Sequence, residues 1–396
     1  MSGRDITSLL RGDGNAAEFF LLGLSFFFFL YPILLYPLLI ALLARISPRP
    51  IQKSPGETFP SVTIITPAYN EEKVISEKIR NTLSLDYPDG RLEFMIASDG
   101  SDDRTVERVR EISDPRLHLL DFRERRGKLT VLKEVVVRSA GEIIVFSDAS
   151  AMLAPDALKK LVANFTDPTV GCVSGRYVIR HDVTPLLDAR SVGERGYFEF
   201  EVFLRTKESL FYSTLGAHGA FYGIRKNLFP DISPGVINDD FVIPMEIAKN
   251  GYRTVYEDQA LVFEIHQATV SGEFKRRVRI SHGNFQQIVL LRSLLGFQHP
   301  RVALVFWSHK VLRIFQPFYL AGILFLPLAI GGPLYRSFFL LQLLFYGLGG
   351  VAITFRLSSK IFAVPLYFVM GNAAILAGLI RYMKRRKAPV LQWEKS

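Results

Sequence analysis

Val62-Thr-Ile-Ile-Thr66 is a run of mostly β-branched residues that stops at Pro67, and it predicts a short buried strand. Residues 71–85 follow with apolar side chains at helical spacing. Leu92-Glu-Phe-Met-Ile-Ala97 then predicts a second strand, which ends at the polar run Ser98-Asp-Gly-Ser101. Strand and helix therefore alternate from the start of this region, as they do in α/β domains.

The alternation continues for two more strands. Residues 117–121 and 142–146 each read as a strand, and a helix over residues 127–139 separates them. This order predicts a mostly parallel sheet with helices on both faces, in which ligands bind beyond the carboxyl ends of the strands. The polar residues at those ends are Asn70, Asp99 and Asp148.

Composition and cysteine content exclude several classes of protein. The chain has 396 residues, a formal net charge of +10, 49% hydrophobic residues and a mean hydropathy of +0.20, which is too apolar for a disordered chain. The single cysteine, Cys172, excludes an intrachain disulfide and a cysteine-built metal site, and we expect it to pack in a strand. Because the sequence contains neither a GxGxxG turn after the first strand nor a Walker phosphate loop, dinucleotide dehydrogenases and P-loop ATPases are disfavoured.

Four uncharged apolar stretches are long enough to cross a bilayer as helices. They cover residues 19–44, 314–335, 337–355 and 361–380. The first is longer than the apolar part of a signal peptide, so we expect an uncleaved anchor. Arg45, Arg49 and Lys53 follow it and predict an integral protein of the plasma (inner) membrane whose central domain is cytosolic.

The basic residues are concentrated in the last third of the chain. From Ile265 onward there are 17 Lys and Arg against two acidic residues. Because they lie beside the apolar stretches, they predict contact with lipid headgroups rather than nucleic acid. Three further crossings would place the basic segment 381–387 outside, against the positive-inside rule. Either one stretch is re-entrant, or the tail lies at the outer interface, or residues 302–307 add a partial crossing.

Five short motifs stand in order along the central domain. They are Pro67-Ala-Tyr-Asn-Glu-Glu72, Ser98-Asp-Gly-Ser-Asp-Asp103, Arg126-Gly-Lys128, Phe146-Ser-Asp-Ala-Ser150 and Asn238-Asp-Asp240. In this order and spacing they resemble family 2 glycosyltransferases of the GT-A fold. The flanking apolar stretches resemble the membrane-embedded branch of cellulose, chitin, hyaluronan and poly-N-acetylglucosamine synthases. The resemblance implies a Rossmann-like GT-A cytosolic domain with one N-terminal and about three C-terminal transmembrane helices.

The expected domain organisation follows from the resemblance and the apolar stretches. We expect an N-terminal tail (1–18), a transmembrane helix (19–44), a proline-rich linker (45–60), a GT-A domain (61–270), interfacial amphipathic helices (271–310), C-terminal transmembrane helices (311–381) and a basic tail (382–396).

The resemblance implies a donor site for a nucleotide sugar, with UDP as the nucleotide. Tyr69 would stack on the uracil ring, with Asn70 and Glu71 nearby; alternatively Asn70 caps the following helix. Asp99 would accept hydrogen bonds from the base, or instead form a turn before Gly100. Lys128 would contact the diphosphate as a point charge.

The resemblance also implies a divalent cation, Mg²⁺ or Mn²⁺. Asp148 matches the first aspartate of the DxD signature and would hold the cation together with the two phosphates. Ser150 stands where many members have the second aspartate. Either one carboxylate suffices alongside the diphosphate, or the cation binds more weakly.

Asp239 and Asp240 match the segment that contains the general base of the synthases. The match implies that Asp240 takes the proton from the acceptor hydroxyl, and the adjacent Asp239 should raise one of the two pKa values. The competing interpretation is that an aspartate caps a helix over residues 241–250; one can cap while the other reacts.

Lys275-Arg-Arg-Val-Arg-Ile280 occupies the place of the Gln-x-x-Arg-Trp motif of the synthases. Arg276 and Arg279 share a helix face and would point at the diphosphate leaving group; alternatively they form a basic stripe on anionic lipid. Ile280 replaces the tryptophan of the acceptor platform, so we expect weaker retention of a growing chain unless Phe285 or another aromatic residue replaces it.

Three residues complete the implied site. His218, in a glycine-rich segment, would either bond acceptor hydroxyls or fill a turn, and Gly175 and Arg176 would flank the donor sugar. The sequence thus predicts an inverting hexosyltransferase that elongates a surface or extracellular polysaccharide. The alternatives are single-step transfer to a lipid or lipid-linked acceptor, and a non-catalytic membrane-anchored protein that binds sugar nucleotides.

Overall fold

The computed structural model of the chain describes residues 16–53, 59–180, 189–265, 270–355 and 360–385. The strands are β1 (Val62–Ala68), β2 (Leu92–Asp99), β3 (Leu117–Phe122), β4 (Ile143–Phe146), β5 (Met152–Leu153), β6 (Val170–Arg180), β7 (Tyr222–Arg225) and β8 (Arg253–Ile265). Parts of the predicted linker and of both predicted tails lie outside the described residues.

Two of the described helices precede the first strand, others lie between the strands, and the last ones follow the sheet. They are α1 (Ala16–Leu30), α2 (Tyr36–Ile46), α3 (Ile75–Leu83), α4 (Thr105–Arg110), α5 (Lys128–Arg138), α6 (Ala157–Val162), α7 (Ala189–Phe211), α8 (Asp239–Lys249), α9 (Val270–Leu290), α10 (Pro300–Phe306), α11 (Leu312–Ile314), α12 (Gln316–Ile330), α13 (Pro333–Phe355) and α14 (Lys360–Arg385).

The eight strands form one sheet in the order β3-β2-β1-β4-β7-β6-β8-β5. The four strands β3, β2, β1 and β4 pair in parallel, as does β6 with β8. Strands β7 and β5 run antiparallel to their neighbours. The prediction of a mostly parallel α/β sheet is confirmed. The carboxyl ends of β1, β2 and β4 consequently meet at one edge, where the motif residues were predicted to lie.

Residues of β1 contribute to a core on each face of the sheet. All seven residues of the strand are buried. Ile64 belongs to the same buried cluster as Ile79 of α3, and Ile65 to the same cluster as Leu132 of α5. A parallel strand covered on both faces is mostly apolar, which is why the run from Val62 shows no strict alternation of apolar and polar residues.

Three described helices are long and apolar enough to cross a membrane, namely Ala16–Ile46, Pro333–Phe355 and Ile361–Lys384. The remaining predicted crossing is not one straight helix. Pro300–Ile314 and Gln316–Ile330 form a pair bent by 55°, and fifteen residues of α12 extend only about 22 Å, less than the ~30 Å of a hydrocarbon core. A broken span or a re-entrant segment at this place is one of the arrangements that the charge pattern required.

A buried polar network joins the first apolar helix to the central domain. Glu208 of α7 accepts a hydrogen bond from Tyr36 Oη of α2 at 2.7 Å, and the Nδ1 atom of His309 lies 2.7 Å from the same carboxylate oxygen. Glu201, about two turns before Glu208 on α7, pairs with Arg313 at 2.5 Å. Because each of these buried carboxylates has partners, the network holds α2 against α7 without leaving an isolated charge.

Candidate active site

The turn after β4, residues 147–151, presents Asp148 at the edge of the sheet. Lys78 of α3 lies behind this turn and is fully buried. Its Nζ atom donates to Ser147 Oγ and to the carbonyl oxygen of Ala151, both at 2.6 Å, and Ser147 Oγ donates to the carbonyl of Ala220 at 2.9 Å. Burial lowers the pKa of Lys78 to about 7, although the charge of Asp148 acts in the opposite direction. Lys78 therefore fixes both ends of the turn that carries Asp148.

Replacing Lys78 by methionine is expected to lower the free energy of unfolding by about 1–3 kcal/mol, because the buried carbonyl of Ala151 loses its side-chain donor. Denaturant titration of the purified protein measures the change. The matched control is Lys159→Met, which removes an exposed ion pair with Asp86 and should change stability by less than about 0.5 kcal/mol. Equal stability of the two variants would contradict the assigned role of Lys78.

Asp239 and Asp240 form the first turn of α8, and Asn238 precedes them at the N-cap position. No side chain caps the helix, so the interpretation that an aspartate caps it is wrong. Instead, Asp240 Oδ2 accepts a hydrogen bond from the backbone N–H of Gly219 at 3.1 Å. Asn238 donates to the carbonyl oxygen of Ile280 in α9 at 3.2 Å. The pair of aspartates is thereby held by backbone and neighbouring helices rather than used as a cap.

The carboxylates of β4 and α8 converge on Gly219. A Cβ atom at Gly219 would lie 3.2 Å from Asp240 Oδ2 and 3.6 Å from Asp148 Oδ2. The Nζ atom of Lys128 lies 3.5 Å from Asp148 Oδ1 and 3.4 Å from Asp239 Oδ2. The structure thus brings together four side chains that are separated by up to 112 positions in the sequence, and Gly219 leaves the space between them open.

The electrostatics of this cluster differ from one group to the next. Burial raises the pKa of Asp240 to about 6, and the charge of Asp239 adds to the increase while Lys128 opposes it. Burial alone would lower the pKa of Lys128, but Asp148, Asp239 and Asp240 raise it above its usual value, so its ammonium group stays charged. The pKa of Asp240 therefore lies closer to neutral pH than that of an ordinary aspartate.

Oxygen donors suited to Mg²⁺ or Mn²⁺ are present at the cluster. Asp239 Oδ2 is buried without a hydrogen bond of normal geometry, and the neighbouring Asp148 carboxylate faces Gly219. Within the described residues no group of three His, Cys, Asp or Glu side chains is arranged to enclose a cation. The residues therefore fit a cation that takes most of its ligands from phosphate oxygens and water, which is how Mg²⁺ is usually held in phosphate-transfer sites.

Ser150 takes part in a contact that sequence reasoning did not find. Its hydroxyl donates to Oε1 of Glu264 on β8. Glu264 Oε2 accepts a second hydrogen bond from Tyr177 Oη at 2.7 Å. A hydroxyl that donates its proton to a carboxylate keeps its lone pairs available for another ligand.

Asp99 lies at the part of the predicted donor site that would hold the nucleobase. Its side chain is 1% exposed and accepts hydrogen bonds from the backbone N–H groups of Arg126 at 2.6 Å and Gly127 at 2.9 Å. Asp99 thus shapes the loop before Lys128, and its contact with a base stays a prediction. The guanidinium of Arg125 lies 3.9 Å from the centre of the Tyr69 ring, so a stacked base would have to replace or join it.

Asn70 and Glu71 belong to the loop between β1 and α3. Asn70 has a φ of 55°, in the left-handed region that asparagine tolerates better than most residues. Its side-chain oxygen accepts from the N–H of Asp102 at 3.0 Å, and the N–H of Glu71 donates to Thr105 Oγ1 at 2.8 Å. Asn70 therefore fastens two loops to each other, and no side chain caps α3.

Three other predicted residues lie along β6 and the segment before β7. The ring of His218 stacks on Tyr177 with centroids 4.1 Å apart, and burial, with Arg205 and Arg276, lowers its pKa to about 3, so it is neutral. A side chain at Gly175 would meet the ring of Phe221 at 2.5 Å, and Arg176 pairs with Glu199 of α7 at 2.7 Å. The ring of His218 is thus packed on Tyr177 within its turn. The contact of His218 with an acceptor, and those of Gly175 and Arg176 with a sugar, stay predictions.

The two predicted arginines of α9 have different surroundings. Arg276 pairs with Glu273 at 3.0 Å, whereas the Nε atom of Arg279 is buried without a hydrogen-bond partner. Burial lowers the pKa of Arg279, while Asp240, Asp239 and Asp148 act in the opposite direction. Arg279 therefore lies within electrostatic reach of the acid cluster and has a donor available for an anion.

Phe285 does not replace the missing tryptophan. Its side chain is 8% exposed and stacks on Tyr382 of α14 with centroids 6.3 Å apart. This packing against α14 leaves little of the ring exposed for contact with a sugar. Cys172, by contrast, lies buried and unpaired in β6, as predicted.

Comparison with known sequences identifies the domain around this cluster. Residues 63–233 match the sequence model of glycosyl transferase family 2. The chain contains a family 2 glycosyltransferase domain. Asp148, Lys128 and His218 fall inside the matched region, whereas Asp240 and Arg279 follow it.

The chain is also similar to curated bacterial proteins. The poly-beta-1,6-N-acetyl-D-glucosamine synthase of Staphylococcus aureus strain COL is 26% identical over 240 residues, which cover 59% of this chain and 57% of that protein. The Staphylococcus epidermidis synthase of the same name is 25% identical over 276 residues, 66% of this chain and 65% of that protein. The similarity thus spans less than two thirds of the length of these relatives.

One solved structure shares nearly the whole architecture. The mannosyltransferase PcManGT from Pyrobaculum calidifontis, solved in complex with GDP-Man and Mn²⁺, superposes with a TM-score of 0.71 at 25% sequence identity. The superposition covers 93% of this chain and 100% of that chain. The GT-A fold predicted for the central domain, with an apolar helix before it and apolar helices after it, is confirmed.

Proposed function

We propose that the chain is an inverting, metal-dependent glycosyltransferase that transfers a sugar from a UDP-sugar to a growing surface polysaccharide at the membrane. The observation that supports this most is the convergence of Asp148, Asp239 and Asp240 with Lys128 beside Gly219. Asp240 has a raised pKa, which suits it to remove a proton. Lys128 stays charged, which suits it to bind a diphosphate beside that point.

Asp240 acts as the general base in the proposed reaction. Its carboxylate takes the proton of an acceptor hydroxyl as that oxygen forms a bond to the anomeric carbon of the donor sugar. The bond from the anomeric carbon to the phosphate oxygen breaks, and the nucleoside diphosphate leaves with the electron pair. Attack opposite the leaving group inverts the configuration. The N–H of Gly219, bonded to Asp240 Oδ2, keeps the carboxylate oriented during the transfer.

Lys128, Arg279 and Asp148 bind the leaving group in this proposal. Lys128 contacts the diphosphate as a point charge, and the unpaired Nε–H of Arg279 donates to a phosphate oxygen. A divalent cation held through Asp148 would stabilise the negative charge that develops on the diphosphate. The cation and the nucleotide sugar in the PcManGT complex support both assignments.

A second candidate differs in donor and acceptor. The superposition with PcManGT extends over the membrane helices and concerns a protein solved with GDP-Man, which favours a guanosine-linked donor. Ile280 and the packed Phe285 offer no sugar platform, which favours one transfer to a lipid or lipid-linked acceptor. The bent pair α10–α12 is compatible with either product.

The size of the product separates the two candidates. The purified full chain in lipid nanodiscs is incubated with Mn²⁺ and radiolabelled UDP-N-acetylglucosamine, UDP-glucose or GDP-mannose, and the products are separated by gel filtration and by solvent extraction. A labelled polymer from a UDP-sugar supports the first candidate. A labelled lipid with one sugar, from GDP-mannose, would reject it in favour of the second.

The pH dependence of kcat/KM reports the proposed base. Asp240 must be ionised to accept a proton, and its pKa is raised to about 6, so kcat/KM should fall as the pH decreases through about 6. An ordinary aspartate would lose activity only near pH 4. Initial rates at low donor concentration between about pH 5 and 9 measure the profile. A profile that stays level down to pH 5 would exclude Asp240 as a base with this pKa.

The proposed location is the plasma (inner) membrane with the catalytic domain in the cytosol. Three long apolar helices in the described chain support a membrane protein, and the basic residues after α2 support a cytosolic domain. A cytosolic domain also gives the site access to nucleotide sugars, which are made there.

A further inference from the structure

The position of Ser150 leaves the acid cluster one carboxylate short of a two-aspartate signature. Ser150 lies two residues after Asp148, on the same turn that Lys78 fixes. A neutral hydroxyl is a weaker ligand for a hard divalent cation than a carboxylate. With Ser150 in the second position and no other carboxylate nearby, the cation would have only Asp148 and the phosphates as negatively charged ligands.

The sheet brings another carboxylate to this place. β5 pairs antiparallel with β8, with Met152 opposite Phe263, so the residues before Met152 lie beside those after Phe263. Glu264 is the next residue of β8, and its Oε1 accepts the hydroxyl proton of Ser150. A strand pairing between segments more than 100 residues apart thus delivers Glu264 to the turn that presents Asp148.

Glu264 has hydroxyl partners but no cationic one. Ser150 and Tyr177 each donate a hydrogen bond to it, and across the described ranges no Lys, Arg or His side chain lies within 4.0 Å of its carboxylate. Glu264 also lies near Asp148 along this turn, because its carboxylate contacts Ser150, two residues after Asp148. Two like charges at one turn are stabilised when a cation binds beside them.

We propose that Glu264 supplies the second carboxylate of the divalent-cation site, acting with the Ser150 hydroxyl in place of a second aspartate. This rests on the proposed metal-dependent transfer. Ser150 donates a hydrogen bond to Glu264, which leaves the lone pairs of its oxygen available to a cation. Tyr177, which stacks on His218, holds the other carboxylate oxygen in place. The competing explanation is that the Ser150–Glu264 hydrogen bond only stabilises the pairing of β5 with β8 and binds no cation.

Direct measurement of cation binding separates these explanations. Mn²⁺ affinity is determined by electron paramagnetic resonance of free Mn²⁺ in the presence of UDP or GDP, for the full chain in nanodiscs. The variants are Glu264→Gln, Ser150→Asp combined with Glu264→Gln, and Glu142→Gln. Glu142 is the matched control because it also accepts a hydrogen bond from a serine, Ser61, at 3.2 Å, but at the opposite end of β4.

Glu264→Gln should weaken Mn²⁺ binding by about 10–100-fold, and the double variant should recover most of the loss because it returns a carboxylate to position 150. Glu142→Gln should bind like the wild type. The role of Glu264 would be overturned if Glu264→Gln bound Mn²⁺ as tightly as the wild type. It would also be overturned if the double variant had the thermal midpoint of the wild type but did not recover affinity. Either result would leave the proposed function intact. Absence of nucleotide-dependent Mn²⁺ binding by the wild type would overturn both.

Discussion

Asp240→Asn is expected to lower turnover by about 10²–10⁴-fold while the affinity for the nucleoside diphosphate stays near that of the wild type. Asparagine preserves the shape of the side chain and can still accept the hydrogen bond from the N–H of Gly219, but it cannot accept a proton from the acceptor. Turnover is measured as release of nucleoside diphosphate, and affinity by calorimetry with UDP and GDP.

The neighbouring residue provides the matched comparison for this variant. Asp239 lies 3.4 Å from Lys128, so Asp239→Asn should weaken donor binding more than it slows the chemical step. An inactive Asp239→Asn beside an active Asp240→Asn would reverse the two assignments.

Asp148→Asn is expected to lower activity at least 10²-fold, the usual cost of losing a principal electrostatic contact in the transition state. It should also abolish the response of the remaining activity to added Mn²⁺, and EDTA should inactivate the wild type. The reason is that Asp148 contributes a carboxylate at the point where the acids converge on Gly219. Asp156→Asn, whose carboxylate forms an exposed pair with Lys160, is the control. Full activity of the wild type in EDTA would reject metal dependence.

The sequence predicts the sheet and the ends of its first strands because these depend on local pattern. The β-branched run from Val62 and the apolar run from Leu92 are buried on both faces of the sheet, and burial of that kind leaves a continuous apolar signal. Asp99 ends β2 and Asp148 closely follows β4, so their position at one sheet edge follows from parallel pairing alone.

The remaining contacts depend on pairings between distant segments, which no local pattern contains. Glu264 reaches Ser150 only because β8 pairs with β5, and Arg125 reaches Tyr69 only through the loop that Asp99 shapes. Lys78 did leave a signal, since it stands between Ile75 and Ile79 on the apolar face of a predicted helix, where a charge needs a buried partner.

The membrane region shows a similar division. The apolar stretches predict helices at α1, α13 and α14, but length alone does not reveal the 55° bend between α10–α11 and α12. Nor does it reveal that Glu208 would bind both Tyr36 and His309, because buried polar networks are assembled from several elements.

The most direct test of the account is metal-dependent transfer of sugar by the purified chain. Wild type, Asp148→Asn and Asp240→Asn are incubated in parallel in nanodiscs with UDP-N-acetylglucosamine or GDP-mannose and Mn²⁺, and the nucleoside diphosphate released is quantified together with the sugar bound to product. We expect the wild type to release diphosphate and transfer sugar in equal amounts from one of these donors, and both variants to fall by about 10²-fold or more. Release and transfer that are unchanged in both variants would show that the acid cluster is not the site of glycosyl transfer.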